Sequence, residues 1–414
     1  MRIQLVGSKF PPEYAGAGLR IHRTYARLMR LGWGIERHVL TGSIEFPGNA
    51  KYVYDDVYVE RLAANFWGDT SNRTDLAGKL LHLVKGWWEA VCTIHRLSRR
   101  KQQLLHIFGT SNVTAAAIAL GAIARRPMII ELVTAHASAL QTLPGLRYRT
   151  WLQRRLRQRT VVIAISDMIG RRCAEEGLTK NVWIRPNPVD TTQFFPEPGR
   201  RNEYRLQYTP FKPEDRILTM VAKFMPMKNQ IFLLDVLAQL PHEFKLVVAG
   251  PMVTTGPLQR RDADYLSEFQ RRVTALNLGE RVLVVPDFVP AAPYIKLADV
   301  YMLPNYNEGL ATPMLESLAC GIPVVANKGE AAFRQWVVDG ESGYLCRFDP
   351  AAWKVAVEAA FAIPQETRLS VARRIAEQAS ADQIDRDFRR LAEAVAEAAE
   401  DDEIDVAAVL RRPS

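Results

Sequence analysis

Along the first 190 residues, short runs of nearly continuous apolar residues alternate with longer stretches in which apolar positions recur every three or four residues. RIQLVG leads into GLRIHRTYARLMRLG, and LLHIFG, PMIIELV and TVVIAIS follow further on. The continuous runs predict strands covered on both faces, and the three-to-four spacing predicts helices. The scheme then repeats with RILTMVAKF, KLVVAG, RVLVVPD, VYMLP and PVVAN, each followed by a helix-length segment. Buried strands separated by helices assemble as parallel sheets, so the pattern predicts an α/β chain of two doubly wound, Rossmann-like domains.

The two series are joined by RPNPVDTTQFFPEPGRRNEY, Arg185 to Tyr204, whose prolines and polar residues break the periodicity and mark a linker. The expected domains are 1–188 and 189–380. Residues 381–414 form a C-terminal helix and tail, with the helix able to pack back on the first domain. The acidic run EDDEID, Glu400 to Asp405, is expected to be solvated. Ligands of open parallel sheets bind beyond the carboxyl ends of the strands, and pockets favour domain interfaces. The working site is therefore expected between the two halves.

Composition agrees with two packed cores: 414 residues, 48% apolar and 24% charged. The start MRIQLVG reads as a strand and not as a leader, and no apolar run is long enough to cross a bilayer. Cys92, Cys173, Cys320 and Cys346 are widely spaced, without metal-ligand pairing or a disulfide framework, which fits a reducing cytoplasm. The net charge of +9 is uneven: residues 1–190 hold 28 Lys and Arg against 14 Asp and Glu, whereas 191–414 hold 26 against 31. A basic first half favours phosphorylated substrates or an anionic lipid surface. No nucleic-acid module is recognisable, so nucleic acid is not an expected partner.

The candidate chemistry begins with NEGLATPMLESLACGIPVV, Asn307 to Val325. A strand, VYMLP, precedes it; Thr312 is placed to cap a helix, Pro313 to open it and Gly321 to end it. The backbone amides of Gly309 to Met314 would converge at a positive helix end, where a phosphate binds without a metal. Two carboxylates flank that end. Glu308 could meet a sugar hydroxyl and Glu316 a ribose diol, or Glu316 could complement the helix dipole with Glu308 solvated; their spacing alone leaves this open. Asp262 and Asp264 spell an acid pair, but Gln259, Arg260 and Arg261 precede it where a metal site would have an apolar strand, so it reads as a solvated helix start and no metal is expected.

Glu308 and Glu316 within EGLATPMLESLACGIPVVA resemble the paired-glutamate signature of retaining glycosyltransferases of the GT-B fold, particularly glycosyltransferase family 4. VAKFMPMKNQIFLLDVLAQL resembles that family's diphosphate-binding segment, and RPNPVDTTQFFP its passage into the second domain. The resemblance implies that 1–188 is an acceptor-side domain and 189–380 binds a nucleotide-sugar. It implies that Lys228 pairs with the donor diphosphate, that Glu316 holds the ribose and that Glu308 lies beside the donor sugar. Gly309, Leu310, Ala311 and Thr312 fall in its phosphate-facing loop. Lys223 stands where the family usually has arginine, a point charge in place of a planar fork. PPEYAGAG resembles the glycine loop near the diphosphate, with Gly16 and Gly18, and His136 matches a histidine near the donor sugar. NKGEAAFRQW departs from the family's usual glycine pair and following acid.

The implied activity is retaining transfer of a sugar from a nucleoside-diphosphate sugar to a glycan or lipid-linked acceptor in polysaccharide or glycoconjugate synthesis, without a cofactor or metal. A nucleotide-sugar epimerase, a phosphorylase and a non-catalytic subunit share the architecture. Two further features bear on the acceptor. The arginines at 147, 149, 154, 155, 157 and 159 suggest contact with an anionic surface. Lys79 to Lys101 places Leu80, Val84, Trp87, Val91 and Ile94 on one helical stripe with basic flanks. The stripe reads first as a core contact, and alternatively as a peripheral contact with an anionic membrane at its inner face.

Overall fold

The computed structural model describes all residues except Tyr14, Pro47, 64–75, Pro257 and 412–414. The chain divides into two compact units. The first comprises Met1–Arg185, Thr255–Pro257 and Gln383–Ser414, and the second Pro186–Thr254 and Leu258–Asp382.

The first unit is built on β1 (Arg2–Gly7), β2 (Glu36–Thr41), β3 (Ala50–Tyr54), β4 (Val57–Arg61), β5 (Leu104–Phe108), β6 (Met128–Leu132), β7 (Thr160–Ala164) and β8 (Val182–Ile184). They form one sheet in the order β3-β4-β2-β1-β5-β6-β7-β8. Its helices are α1 (Gly16–Arg30), α2 (Leu76–Ser98), α3 (Asn112–Ile123), α4 (Arg149–Arg155) and α5 (Asp167–Glu175). The strands β5, β6 and β7 are buried at every position, as their continuous apolar runs predict. One strand departs from the parallel scheme: β3 pairs antiparallel with β4. The connection is Asp55–Asp56, both at positive φ (45° and 61°), the two-residue turn that suits the twist of a hairpin.

The second unit holds β9 (Arg216–Val221), β10 (Phe244–Ala249), β11 (Val282–Val285), β12 (Val300–Leu303), β13 (Val324–Asn327) and β14 (Gly343–Cys346), in the order β11-β10-β9-β12-β13-β14. Every pair in it is parallel. Its helices are α6 (Arg201–Tyr208), α7 (Gln230–Gln239), α8 (Gln259–Ala275), α9 (Ala291–Lys296), α10 (Thr312–Ala319), α11 (Pro350–Phe361) and α12 (Gln365–Ala379). The order turns back between β9 and β12, and the loops leaving their carboxyl ends flank the crevice where ligands of such sheets bind. Helix α10 stops where the sequence says it should. Gly321 takes φ +70°, Gly321 N–H donates to Leu318 O (3.0 Å) and Ile322 N–H to Ser317 O (3.0 Å), the paired bonds of a left-handed helix end.

The last helices, α13 (Ala381–Glu397) and α14 (Val406–Arg411), belong to the first unit from Gln383 onward. Ile384, Phe388, Leu391, Ala392 and Val395 recur at helical spacing and are buried with Tyr25 and Trp33 in its core. Burial of each large side chain contributes about 1.5–3 kcal/mol. The acidic run is not a free tail. Its carboxylates reach solvent at Glu400 and Asp401, but Ile404 is buried in the same core, and Arg159 N–H donates to Asp402 O (2.9 Å).

Three other expectations are corrected. On α2 the face against the protein is made of Gly86, Glu89, Ala90, Thr93 and Leu97, while Leu80, Val84 and Val91 are exposed. Only Trp87 and Ile94 of the expected stripe pack inward, against Ala90, Ala115, Ala116 and Leu143. Small residues let α2 lie close to α3, which turns its larger apolar residues outward. In the arginine series, Arg149 pairs with Glu176 (2.9 Å), while Arg155, Arg157 and Arg159 donate to Ala122 O, Gly177 O and Arg125 O. These bonds tie part of the series to the structure, while Arg147, Arg149, Arg154 and Arg157 stay exposed. Asp262 is fully buried, taking two bonds from Arg261 (2.6 and 2.8 Å), so of the two acids at the start of α8 only Asp264 is solvated.

Candidate active site

The residues expected to hold a donor gather on the loops after β9 and β12. Lys223 follows β9 by two residues and is buried; its carbonyl accepts from Gln230 Nε2 (2.8 Å), itself buried at the start of α7. Between them, Pro226–Lys228 form one tight helical turn that ends at Asn229 in the left-handed region (φ 54°). That turn aims Lys228 across to the neighbouring loop, where its ammonium contacts Glu308 Oε1. Glu308 Oε1 also accepts from Asn305 Nδ2 (2.9 Å). Tyr306 ties the two loops through its amide to Met227 O (3.2 Å) and its hydroxyl to Pro226 O (3.1 Å).

A residue that sequence reasoning passed over fixes the acidic loop. Glu330 accepts from the amides of Asn307 (2.9 Å) and Glu308 (3.0 Å), one with each carboxylate oxygen. The divergence of NKGEAAFRQW drew attention away from its own Gly-Glu pair. Asn187 is the second such residue: buried, it donates to Thr312 Oγ1 (2.9 Å) and Leu310 O (3.4 Å).

At the start of α10 the cap lies one residue earlier than expected. Ala311 is the N-cap, and Thr312 is already helical, its hydroxyl oxygen serving Asn187 and not the helix amides. Met314 N–H donates to Ala311 O (3.1 Å), so it is withdrawn from the expected set of anion-facing amides, and Pro313 has none. The amides of Gly309, Leu310, Ala311 and Thr312 remain, and they make no hydrogen bond among the described residues. Gly309, Leu310 and Ala311 are nevertheless buried. Buried N–H groups without a protein partner are uncommon, and here they stand at the positive end of a helix. Glu316, half-buried, lies one turn into α10.

The first-unit residues are placed as follows. Gly16 opens α1 and is exposed, with nothing within 4 Å of where a side chain would begin. Gly18 is buried, and a Cβ there would lie 2.7 Å from Lys9 O and 3.2 Å from Phe10 Cα, so it permits a close backbone approach. The acid of PPEYAGAG, Glu13, is buried and holds this loop by accepting from the amides of Ile44 (3.1 Å) and Glu45 (3.3 Å). His136 is exposed in the turn beyond β6, and no described contact joins it to either glycine.

Against this geometry, residues 205–380 match the family described as glycosyl transferases group 1. The matched segment is a little under half of the chain. It contains Lys223, Lys228, Glu308, Glu316 and Glu330. The chain is 29% identical over 243 residues to a GDP-mannose-dependent alpha-(1-6)-phosphatidylinositol monomannoside mannosyltransferase of Mycolicibacterium smegmatis, covering 54% of this chain and 59% of that protein. It is 27% identical over 220 residues to the lipopolysaccharide core biosynthesis mannosyltransferase LpsB of Rhizobium meliloti, covering 52% and 59%. The matched stretches thus span somewhat more than half of each relative. Among solved structures, Anabaena HepE in complex with UDP and glucose aligns with a TM-score of 0.67 at 16% identity over 94% of this chain and 98% of that one. Sucrose-phosphate synthase from Thermosynechococcus elongatus aligns with a TM-score of 0.67 at 18% identity over 95% and 99%. These likenesses show the fold: two Rossmann-like domains of the GT-B class.

Proposed function

We propose that the matched segment binds a nucleoside-diphosphate sugar and that the protein transfers the sugar, with retention, to a hydroxyl of a glycan or lipid-linked acceptor. The observation that carries this reading is the set of unpartnered amides from Gly309 to Thr312 beside Lys228 and between Glu308 and Glu316. An anion would accept from these N–H groups and pair with the Lys228 ammonium, and a ligand with hydroxyls on either side of that anion would reach both Glu308 and Glu316. HepE was solved with UDP and glucose, the M. smegmatis relative is named as a GDP-mannose-dependent phosphatidylinositol monomannoside mannosyltransferase and the R. meliloti relative as a lipopolysaccharide core biosynthesis mannosyltransferase, which supports this class of donor and acceptor.

The difficult step is departure of the diphosphate as positive charge grows on the sugar. Lys228 is paired with Glu308 here; on donor arrival it would turn to the diphosphate and release Glu308 to the sugar. Lys223, Lys228 and the four amides then stabilise the leaving charge, each donor contributing about 3 kcal/mol in favourable cases. Glu308 orients the sugar and favours its positive charge, and Glu316 takes the ribose. No metal enters the scheme. The exposed face of α2, Leu80, Leu83, Val84 and Val91 beside Lys79, would rest on an anionic bilayer and present a lipid-linked acceptor. No described helix is long and apolar enough to cross a membrane.

The test is a thermal-shift panel of nucleoside diphosphates and their sugars, followed by turnover of the stabilising donor in the presence of chelator. Lys228→Ala should lose both the shift and turnover. Glu308→Gln should keep the shift and lose turnover by roughly 100-fold or more. Near-normal turnover in both variants, or activity abolished by chelator and restored by Mn²⁺, overturns the scheme.

A further inference from the structure

A second cavity in the same unit lies at the opposite end of α10 from Glu308. It encloses about 90 Å³, and its wall includes Arg201, Lys296, Arg368, Glu197, Gly321 and Gln365. Three cations face one carboxylate, and the local bonding leaves that imbalance standing. Glu197 is fully engaged: it accepts from Arg200 (3.0 Å) and Tyr204 (3.0 Å) and contacts the Lys296 ammonium. The nearest other acid, Asp299, takes Arg205 (2.6 Å), the amide of Ile217 (2.8 Å) and Arg201 Nη1 (3.1 Å).

Arg201 Nε is buried and has no hydrogen-bond partner. Arg368 uses Nε and Nη2 on the carbonyls of Ile363 (2.8 Å), Phe361 (2.6 Å) and Ala360 (3.2 Å), which holds its guanidinium rigidly at the wall with Nη1 unused. Burial and the neighbouring Arg201 charge push the Arg368 pKa down, and the opposing pull of Asp299 only partly offsets them. Gln365 opens α12, a helix of 15 residues whose first-turn amides make no hydrogen bond among the described residues, so its positive end also borders the cavity.

We infer that this cavity is an anion site for a phosphoryl group, held by Arg201, Lys296, Arg368 and the first turn of α12. It is separate from the donor loops and does not rest on the donor reading. Its volume accommodates one tetrahedral phosphoryl group, since a single water needs only about 10–15 Å³ on the same measure. A larger phosphate monoester would leave its organic part outside. The eight residues of α10, about 12 Å of helix, separate it from Thr312, and the turn at Gly321 is part of its wall. An anion here therefore braces the end of the helix that carries Glu316.

The experiment is calorimetric titration of the full chain with inorganic phosphate, and separately with glycerol 3-phosphate, at matched ionic strength. A Lys228→Ala background removes the donor-loop ammonium. Saturable binding should persist in Lys228→Ala and weaken about tenfold or more when Arg201→Gln or Gln365→Glu is added. Gln365 is exposed and an acid suits the first turn of a helix, so Gln365→Glu fills the cavity with a carboxylate without lowering the melting temperature. Preference for the ester assigns the phosphoryl group to a larger metabolite, and equal affinity assigns free phosphate. Absence of saturable binding, loss of binding in Lys228→Ala alone, or unchanged affinity in the Arg201→Gln and Gln365→Glu variants overturns the assignment.

Discussion

Two charge clusters, one in each unit, are placed in opposite ways. In the second, Lys228 and Glu308 meet at the mouth of a sheet crevice, on loops that a ligand can reach. In the first, the charges lie inside. Glu131, near the end of β6 and almost fully buried, accepts from Arg20 on α1 and from Arg185 (3.0 Å), with His106 Nε2 3.5 Å from its other oxygen. His106 Nδ1 in turn bonds the Tyr25 hydroxyl (2.9 Å), and Arg27 pairs with the buried Asp385 (2.6 Å). A buried, multiply bonded network of this kind specifies one packing and is intolerant of loss. Arg20, Arg27 and Arg185 therefore serve the interior and take no part in any surface for anionic partners.

The strongest way to break this contrast is Glu131→Ala. It strands two guanidinium groups in the core and should cost about 3–5 kcal/mol in denaturant unfolding. Glu308→Gln, at a solvent-reachable loop, should cost under about 1 kcal/mol. Equal losses would erase the distinction.

Acid titration sharpens it. Burial pushes the His106 imidazole below its ordinary 6.5, against the pull of Glu131. Burial alone would raise the Glu131 carboxyl, but Arg185 and Arg20 outweigh it and hold the group well below 4.5. In both cases the unfolded chain binds the proton more readily, so both contributions favour the fold at higher pH. That of His106 is full above about 6.5 and erodes as pH falls below it. That of Glu131 is full above about 4.5 and is lost as pH falls through the lower folded value. Urea midpoints from pH 8 to 5 should fall less for His106→Gln than for wild type. Parallel curves would remove His106 from the account.

A smaller effect separates the two glycines of the first loop. Gly18→Ala forces a methyl against Lys9 O and should cost about 1–3 kcal/mol, whereas Gly16→Ala should be neutral or gain up to about 1 kcal/mol at a helix position. If Gly16 serves the donor, its substitution lowers donor affinity without lowering the melting temperature. The smallest change in stability, within about 0.5 kcal/mol, is expected for Leu80→Ser with Val84→Ser on exposed α2. Their readout is flotation with anionic liposomes, which should drop. Partition equal to wild type would leave that face without a lipid role.

These contrasts explain what could be read from the chain. The strands of both cores and the end of α10 at Gly321 follow from local pattern, and the loops carrying Lys228 and Glu308 are legible because those residues sit in contiguous segments. Glu330 and Asn187 were not, because each acts across more than 20 residues of chain, Glu330 on backbone amides and Asn187 on the Thr312 hydroxyl and the Leu310 carbonyl, and nothing in the sequence marks such pairings. The outward face of α2 was misjudged for a related reason. Periodicity shows that a helix has an apolar side, but the small residues Gly86 and Ala90 decide which side meets the protein. The buried acids Glu131, Asp262 and Asp385 look like any other carboxylates until their arginines are seen beside them.

The contact between Lys228 and Glu308 also sets a threshold for occupancy. A bare anion that draws the lysine away abandons the glutamate to face the vacated space alone, whereas a molecule bringing hydroxyls with its phosphates compensates both partners at once. In the proposed scheme the empty pair acts as a coincidence gate, favouring an intact donor over its fragments before any chemistry begins.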